Sequence, residues 1–384
     1  MTTLKSHFLL DPSVTFLNHG SFGACPKPVF QAYQHWQQML ERQPVYFINQ
    51  TLLPALAQAR EALAEFIHAS PEDIVYVPNA TFAVNIIARS LPLEPGDELL
   101  TTDHEYGACD NVWEFMRRKR GFTIVRQPVT LPVTSQEEIV AQIWQGVTSR
   151  TRAIFLSHIT SSTAMILPVA EICHRAREAG IWCIVDGAHT VGQVPLDMAQ
   201  IGADFYTSNN HKWLLSPKGS AFLYARREVQ PLLEPLVVGW GWGENRVLSG
   251  GSDFLDYHQW LGTNDLSAYL ATPEAIVFQR QWQWEAVVER CHLLAKEALA
   301  RIGALTGVPP LYPATADFFR QMFVAPLPSV DEGWLKEALY QQFAIEVPVF
   351  AWHGRSLIRV SVQGYNTPED VDRLIAALAV LLNG

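Results

Sequence analysis

Short apolar segments alternate with amphipathic segments from residue 73 to residue 226 of this 384-residue chain. The apolar segments have the length of buried strands, and the amphipathic segments between them have the apolar spacing of helices. Strands that alternate with helices form a mostly parallel sheet covered by helices on both faces. The sequence therefore predicts an α/β fold with a three-layer large domain. The predicted strands are 73–77, 97–102, 122–127, 152–159, 182–186, 204–209 and 219–226, and the predicted helices are 81–90, 110–120, 136–146 and 168–179.

The chain on either side of this alternating region has different patterns. Helices are predicted at 28–48 and 52–68, before the first strand. A loop-rich stretch at 231–264 is followed by a long helical pattern at 266–304, by strands in FFRQMFVAP, FAIEVPVF and SLIRVSV, and by a helix at 368–382. We therefore expect an N-terminal arm (residues 1–17) that packs with the small domain, a large domain (18–264) and a small α+β domain (265–384).

Charge and cysteine usage exclude several classes of protein. The chain has 28 basic and 38 acidic residues, and a net charge of -10 repels the phosphate backbone of nucleic acids. No apolar run approaches the ~20 residues of a membrane span, and the N-terminus does not resemble a signal peptide. The five cysteines are scattered and form no CxxC pair, which argues for a reducing compartment and against a zinc site. We expect a cytoplasmic enzyme with no metal, membrane or nucleic-acid partner.

An aspartate and a lysine follow two of the predicted strands. Asp186 ends the strand WCIVD, and Lys212 comes shortly after DFYTSN, so both side chains should lie at the edge of the sheet where ligands bind. Taken singly, Asp186 could be a helix N-cap and Lys212 a surface charge. Together they suit pyridoxal 5′-phosphate: a lysine amine holds its aldehyde, and a carboxylate keeps its pyridine nitrogen protonated. No GxGxxG or GxxxxGK[ST] phosphate loop is present, which argues against a nucleotide enzyme.

Over nearly its whole length the chain resembles the class V aminotransferase family of fold-type I pyridoxal-phosphate enzymes. The segments FLNHGSFGACPKPV (16–29) and NNHKWLLSPKG (209–219) are most similar to the isopenicillin N epimerases and their relatives. The resemblance implies the fold-type I architecture with a smaller C-terminal domain, pyridoxal 5′-phosphate as the cofactor, an amino-acid or peptide-like substrate, and a homodimer.

The resemblance also implies roles for particular residues around the cofactor. Lys212 would be the Schiff-base lysine, Asp186 the partner of the pyridine nitrogen, and His189 the donor to the phenolic oxygen. The phosphate would be held at the start of the helix after VPN and near the lysine, with a further contact from the neighbouring subunit. The residues implied for the phosphate are Ala80, Thr81, Asn209, His211 and, across the subunits, Thr263.

Further residues are implied for stacking and for the substrate. In TTDHEYGACDN, Tyr106 matches the aromatic residue, commonly His, that the family stacks on the cofactor, and His104 is the competing choice. Arg359 matches the arginine for the substrate carboxylate, for which a bidentate guanidinium is suited. Asn18 and His19 are expected to line the same pocket. Ser161 stands where desulfurases tend to carry Asn, a departure from their pattern.

Three reaction outcomes remain open after the loss of a substrate α-proton. Epimerisation is favoured by the resemblance, and a lyase that breaks a C–S bond or an aminotransferase is the alternative. A desulfurase would need a cysteine before the strand of Arg359, and residues 346–360 contain none. A regulatory protein that only binds the cofactor is the non-enzyme alternative, and the presence of Lys212, Asp186 and Arg359 together counts against it.

Overall fold

The computed structural model describes residues 4–247 and 249–383, so the first three residues of the predicted arm lie outside the described residues. Buried β-branched and aromatic residues dominate the strands, as expected for a sheet covered on both faces. The strands are β1 (Thr15–Phe16), β2 (Ile74–Val77), β3 (Glu98–Thr102), β4 (Thr123–Gln127), β5 (Thr151–Ser157), β6 (Trp182–Asp186), β7 (Phe205–Ser208), β8 (Ala221–Ala225), β9 (Met322–Pro326), β10 (Ile345–Glu346), β11 (Val349–Trp352) and β12 (Arg355–Ser361).

The helices cover this framework and connect most of its parallel strands. Short turns of other helix types occur at Lys5–His7, Phe47–Thr51, Pro71–Asp73 and Arg227–Leu232. The α-helices are α1 (His19–Phe22), α2 (Lys27–Arg42), α3 (Pro44–Tyr46), α4 (Leu52–Phe66), α5 (Ala80–Ser90), α6 (Gly107–Arg120), α7 (Gln136–Trp144), α8 (Val169–Glu178), α9 (Met198–Ile201), α10 (Asp253–Gln259), α11 (Ser267–Leu270), α12 (Thr272–Gln281), α13 (Trp284–Thr306), α14 (Glu332–Phe343) and α15 (Pro368–Asn383).

The large sheet has seven strands in the order β2-β8-β7-β6-β5-β3-β4. Its neighbours pair in parallel, except that β8 is antiparallel to both β2 and β7. The ends of three central strands lie level with one another, because Asp186 pairs with Ser157, the last residue of β5, and with Thr207, the residue before the last of β7. This register places the carboxyl ends of β5, β6 and β7 side by side, and Asp186 lies in the middle.

A smaller sheet forms in the C-terminal part of the chain, where β11, β12 and β9 pair in antiparallel fashion. The N-terminal segment reaches this part of the molecule, since β1 pairs in parallel with β10. An isolated bridge between Asn18 and Ser361 also joins that segment to the end of β12. The segment that follows β1 is therefore held between the small sheet and the large one.

Some predicted elements differ from the observed ones. The helical pattern at 266–304 is three helices, because Pro273 restricts the chain at the start of α12 and Gln283 adopts a left-handed conformation (φ +49°) before α13. The predicted strand FAIEVPVF is divided into β10 and β11 around Pro348, which has no N–H for a sheet. Helix α14 was not predicted. Within residues 4–247 and 249–383, none of the helices combines the length and apolar character that a membrane span needs.

Candidate active site

A cavity of about 510 Å³ opens at the carboxyl ends of β5, β6 and β7, beside the start of α5. That volume lies within the usual range for small-molecule sites, roughly 300–1,000 Å³. Residues from seven separate segments of the sequence meet there. Of the residues predicted for the cofactor, the cavity is lined by Ala80, Thr81, Tyr106, Asp186, His189, Asn209, His211 and Lys212.

Lys212 lies at the base of this cavity. Burial lowers the pKa of its amine to about 7, and the nearby positive charge of Arg359 adds to the effect, whereas Asp186 opposes it. Its Nζ lies 3.2 Å from Nε2 of His189. The lysine is therefore able to hold a neutral, proton-accepting amine at neutral pH, which an exposed lysine does not.

His189 and Asp186 complete the centre of the site. The indole N–H of Trp213 donates to Nδ1 of His189 (3.3 Å), so Nε2 carries the proton of the neutral ring. Burial keeps the pKa of His189 well below its usual value. One oxygen of Asp186 accepts the backbone N–H of Ala188 (2.9 Å), and the thiol of Cys109 donates to the other (3.4 Å). Burial raises the pKa of Asp186, and the charge of Lys212 opposes that rise.

The start of α5 forms one end of the cavity. Asn79 is the N-cap of α5, because its side chain accepts the backbone N–H of Phe82 (2.9 Å). The amide oxygen of Asn209 accepts the backbone N–H of Ala80 (2.9 Å), which joins the lysine loop to the helix. Thr81 lies on the cavity wall in the first turn, where a helix favours anions.

Arg359, on β12 in the small sheet, contacts two serines that line the cavity. Its Nη1 donates to the backbone oxygen and hydroxyl of Ser161 (2.7 and 3.0 Å), and its Nη2 donates to the hydroxyl of Ser21 (3.1 Å). Burial lowers the pKa of its guanidinium to about 10. Its buried Nε has no partner among the described residues. A buried, unpaired donor on a guanidinium is suited to a carboxylate ligand.

The structure separates the two candidates for the stacking residue. Tyr106 lines the cavity, and 48% of its surface is exposed. His104 is buried elsewhere, because its Nδ1 contacts the hydroxyl of Thr163 (2.8 Å) and its Nε2 contacts the backbone oxygen of Val129 (2.9 Å). His104 therefore has no free nitrogen for a ligand in the cavity.

Three other predicted residues lie outside the cavity of this chain. Asn18 contacts Glu346 (3.3 Å), and His19 is buried between the hydroxyl of Tyr365 and the backbone oxygen of Lys212 (3.0 Å each). Asn18 and His19 are thus not among the residues that line the cavity, and their assignment to the substrate pocket stays a prediction. The short helix α1 turns the chain, so that the lining residues are Ser21 and Phe22 of the same motif. Thr263 is exposed and lies away from this cavity.

These groups fit pyridoxal phosphate. A buried amine and a buried carboxylate lie at the ends of neighbouring strands, a helix N-terminus suits the phosphate, and a guanidinium with an unpaired Nε suits a carboxylate. The residues that would hold the cofactor are Lys212, Asp186, His189, Ala80, Thr81, Asn209 and His211, and Tyr106 would lie against it.

The family described as aminotransferase class-V matches residues 23–374. The isopenicillin N epimerase of Amycolatopsis lactamdurans is 38% identical over 97% of this chain and 96% of that protein. The isopenicillin N epimerase of Streptomyces clavuligerus is 34% identical over 98% of this chain and 97% of that protein. A probable chloroplastic L-cysteine desulfhydrase of Arabidopsis thaliana is 30% identical over 96% of this chain and 83% of that protein.

A solved structure has the same architecture. It is a variant of C-DES with glycine covalently linked to its pyridoxal-phosphate cofactor. The match covers 98% of this chain and 99% of that chain, with a TM-score of 0.85 and 24% identity. The prediction of the fold-type I architecture is thereby confirmed.

Proposed function

Because this chain belongs to the class-V aminotransferase family, whose enzymes use pyridoxal 5′-phosphate, we propose that it is an epimerase that inverts the α-carbon of an isopenicillin N-like substrate. The observation that carries the proposal is the buried amine of Lys212, with a pKa of about 7, in a cavity whose wall residues Ser21 and Ser161 hold the guanidinium of Arg359 and leave its Nε unpaired. The full-length similarity to two isopenicillin N epimerases favours inversion over other outcomes.

The cofactor, when bound, supplies an electron-poor ring that takes up the electron pair left at Cα. We assign the pyridine nitrogen to Asp186, since an ionised carboxylate there keeps that nitrogen protonated. We assign the N–H at Nε2 of His189, which contacts Lys212 in this structure, to the phenolic oxygen once the cofactor is bound. Thr81, with Asn209 and His211, is assigned to the phosphate.

Two residues of the chain act directly on the amino acid in this proposal. Arg359 binds the substrate carboxylate through its unpaired Nε and a neighbouring Nη, which fixes the position of the adjacent Cα. The amine of Lys212 then takes the proton from Cα as a general base. A lysine with a pKa near neutrality is matched to that task, because it is a strong enough base and is still substantially unprotonated.

A C–S lyase is the second candidate, favoured by the similarity to the L-cysteine desulfhydrase. A route through an enzyme-bound persulfide is not supported. Four of the five cysteines are buried, none of them lines the cavity as described, and burial raises the pKa of the Cys25 thiol to about 12. A lyase on this site would therefore release sulfide by β-elimination without a cysteine carrier.

We also propose that the enzyme is a homodimer. Aromatic and aliphatic side chains of the loop between β8 and α10 are exposed, which is typical of a surface that a partner covers. Thr263 lies shortly after this region and would reach the phosphate of the neighbouring subunit. The exposed residues are Val237, Val238, Trp240, Trp242 and Val247. The expected cytoplasmic location stays a prediction.

The function is tested with the purified holoenzyme in heavy water. Isopenicillin N, L-cysteine and L-alanine are each incubated with it, and chirality, keto acid, ammonia and sulfide are measured together. An epimerase gives the inverted isomer with deuterium at Cα and no keto acid or sulfide. Release of sulfide and ammonia from L-cysteine without inversion of any substrate would establish the lyase instead. The variant Lys212→Ala serves as the control and should give no Cα exchange.

A further inference from the structure

Tyr106 and Lys212 line the same cavity but follow different strands of the large sheet. Lys212 follows β7, Tyr106 follows β3, and β6 and β5 lie between these strands in the sheet order. The strand ends that carry Asp186 and Ser157 therefore lie between the strand ends that precede Lys212 and Tyr106, and both Lys212 and Tyr106 line the same cavity. Inversion at a carbon requires a proton to leave on one side and another to arrive on the opposite side. Two proton-carrying groups thus enter this cavity from strand ends that are three places apart in the sheet.

We propose, on the basis of the proposed epimerase function, that the hydroxyl of Tyr106 is the second acid–base catalyst, acting on Cα from the side opposite Lys212. A phenol both donates and accepts a proton, as a reversible epimerase needs. About half of the surface of Tyr106 is exposed, so its proton exchanges with solvent between turnovers. The position commonly held by His in the family here carries a group suited to such a role.

The contacts of Arg359 relate both groups to the expected reaction centre. Its guanidinium donates to Ser161 and Ser21, which line the same cavity as Tyr106 and Lys212. A substrate carboxylate bound to Arg359 is attached directly to Cα. A substrate held in this way would place Cα beside the cavity that both proton-carrying groups line.

The other titratable groups around the cavity are less suited to act as the second acid–base catalyst. His189 uses both ring nitrogens, one toward Trp213 and the other toward Lys212, on the lysine side of the site. His211 is the residue next to Lys212, and its Nδ1 contacts the backbone oxygen of Ser220 (3.0 Å). Both histidines therefore belong to the lysine side of the cavity.

Two buried groups near the cavity, Cys109 and Glu105, are also unsuited to be the second acid–base catalyst. The thiol of Cys109 faces Asp186, away from any substrate. Glu105 accepts hydrogen bonds from Ser157 and Thr102, so its carboxyl group is engaged. Tyr106 is the remaining titratable side chain among those described around the cavity.

The proton balance of one inversion is complete. The Cα–H bond breaks and its proton passes to the amine of Lys212, which becomes an ammonium. The O–H bond of Tyr106 breaks, its proton forms the new Cα–H bond on the opposite side, and the phenol becomes a phenolate. The roles are exchanged in the reverse direction. No oxidant or further reactant is needed, and proton exchange with solvent restores the starting state.

The test compares Tyr106→Phe with wild type and with Tyr340→Phe. Phenylalanine keeps the ring and removes only the hydroxyl, and Tyr340 on α14 is equally exposed (48%) but lies outside the cavity. Isopenicillin N and its epimer, and L- and D-alanine, are incubated with each holoenzyme in heavy water. Nuclear magnetic resonance follows deuterium at Cα, and chiral chromatography follows configuration. Absorption spectra record the bound cofactor.

In Tyr106→Phe, inversion should fall at least about 100-fold, the lower limit for loss of an acid–base catalyst. The isomer whose Cα proton faces Lys212 should still exchange that proton for deuterium and keep its configuration. The other isomer should no longer exchange its Cα proton. The cofactor spectrum should match wild type, and Tyr340→Phe should behave as wild type.

Two results would overturn this assignment. One is inversion by Tyr106→Phe at the wild-type rate. The other is an equal loss of exchange from both isomers together with a changed cofactor spectrum, which indicates a role in holding the cofactor only. If wild-type enzyme inverts none of these substrates, the epimerase function itself fails and the role of Tyr106 fails with it.

Discussion

Gly23 lies where the N-terminal segment contacts the loop that carries Lys212. Its backbone conformation (φ 72°, ψ 166°) belongs to a region that only glycine adopts readily. A Cβ built on Gly23 would overlap the carbonyl oxygen of His211 and lie 3.0 Å from Cα of Lys212. The substitution Gly23→Ala should therefore disturb both the fold and the position of the lysine.

The magnitude follows from two contributions. The backbone conformation costs a non-glycine residue about 1–3 kcal/mol. The overlap with a backbone that is itself packed adds about 1–3 kcal/mol, as for overpacking in a core. Gly23→Ala should thus lower the free energy of unfolding by roughly 2–6 kcal/mol. Gly307→Ala is the matched control, because Gly307 is left-handed (φ 68°, ψ 5°) with no atom within 4 Å of its Cβ position. It should lose only about 1–2 kcal/mol.

The assay is urea unfolding followed by tryptophan fluorescence, with cofactor retention measured by absorbance after dialysis. Gly23→Ala should show the larger loss of stability and should also release pyridoxal phosphate more readily. Gly307→Ala, at the end of α13, should keep the cofactor. Equal stability losses in the two variants, with the cofactor retained in both, would refute the reasoning, because the close contact with the lysine loop would then have no measurable effect.

Three further predictions concern the chemistry of the site. The rate of Cα exchange should rise as the pH passes from 6 to 8, because the pKa of Lys212 is lowered to about 7 and its amine loses its proton across that range. A flat pH profile would contradict this prediction. Asp186→Ala should weaken cofactor binding and reduce turnover by at least about 100-fold, since the ring nitrogen loses its carboxylate, and an active variant would disprove the assigned role. Exposure to L-cysteine should leave no added sulfur on any cysteine, as intact-protein mass spectrometry would show.

The sequence predicted those parts of the site that follow directly from strand ends. Asp186 ends one run of buried residues and Lys212 comes shortly after another, so the neighbouring strands bring the two side chains together independently of the loop conformations. The choice between Tyr106 and His104 required the structure. The two residues are only two positions apart after β3, and the contacts of His104 with Thr163 and Val129 decide which side chain turns inward.

The surroundings of Arg359 explain why other parts of the site could not be predicted from the sequence. The guanidinium is held by Ser21 from the N-terminal segment and by Ser161 from the loop after β5, while its own strand belongs to the small sheet. A serine in a loop has no periodicity that distinguishes it from other polar residues, so neither contact is visible in the sequence. The pairing of β1 with β10 brings Ser21 to this place, and that pairing joins residues more than 300 positions apart. The side of the site that is proposed to bind the substrate thus depends on contacts between distant segments, whereas the side proposed to bind the cofactor depends on adjacent strands.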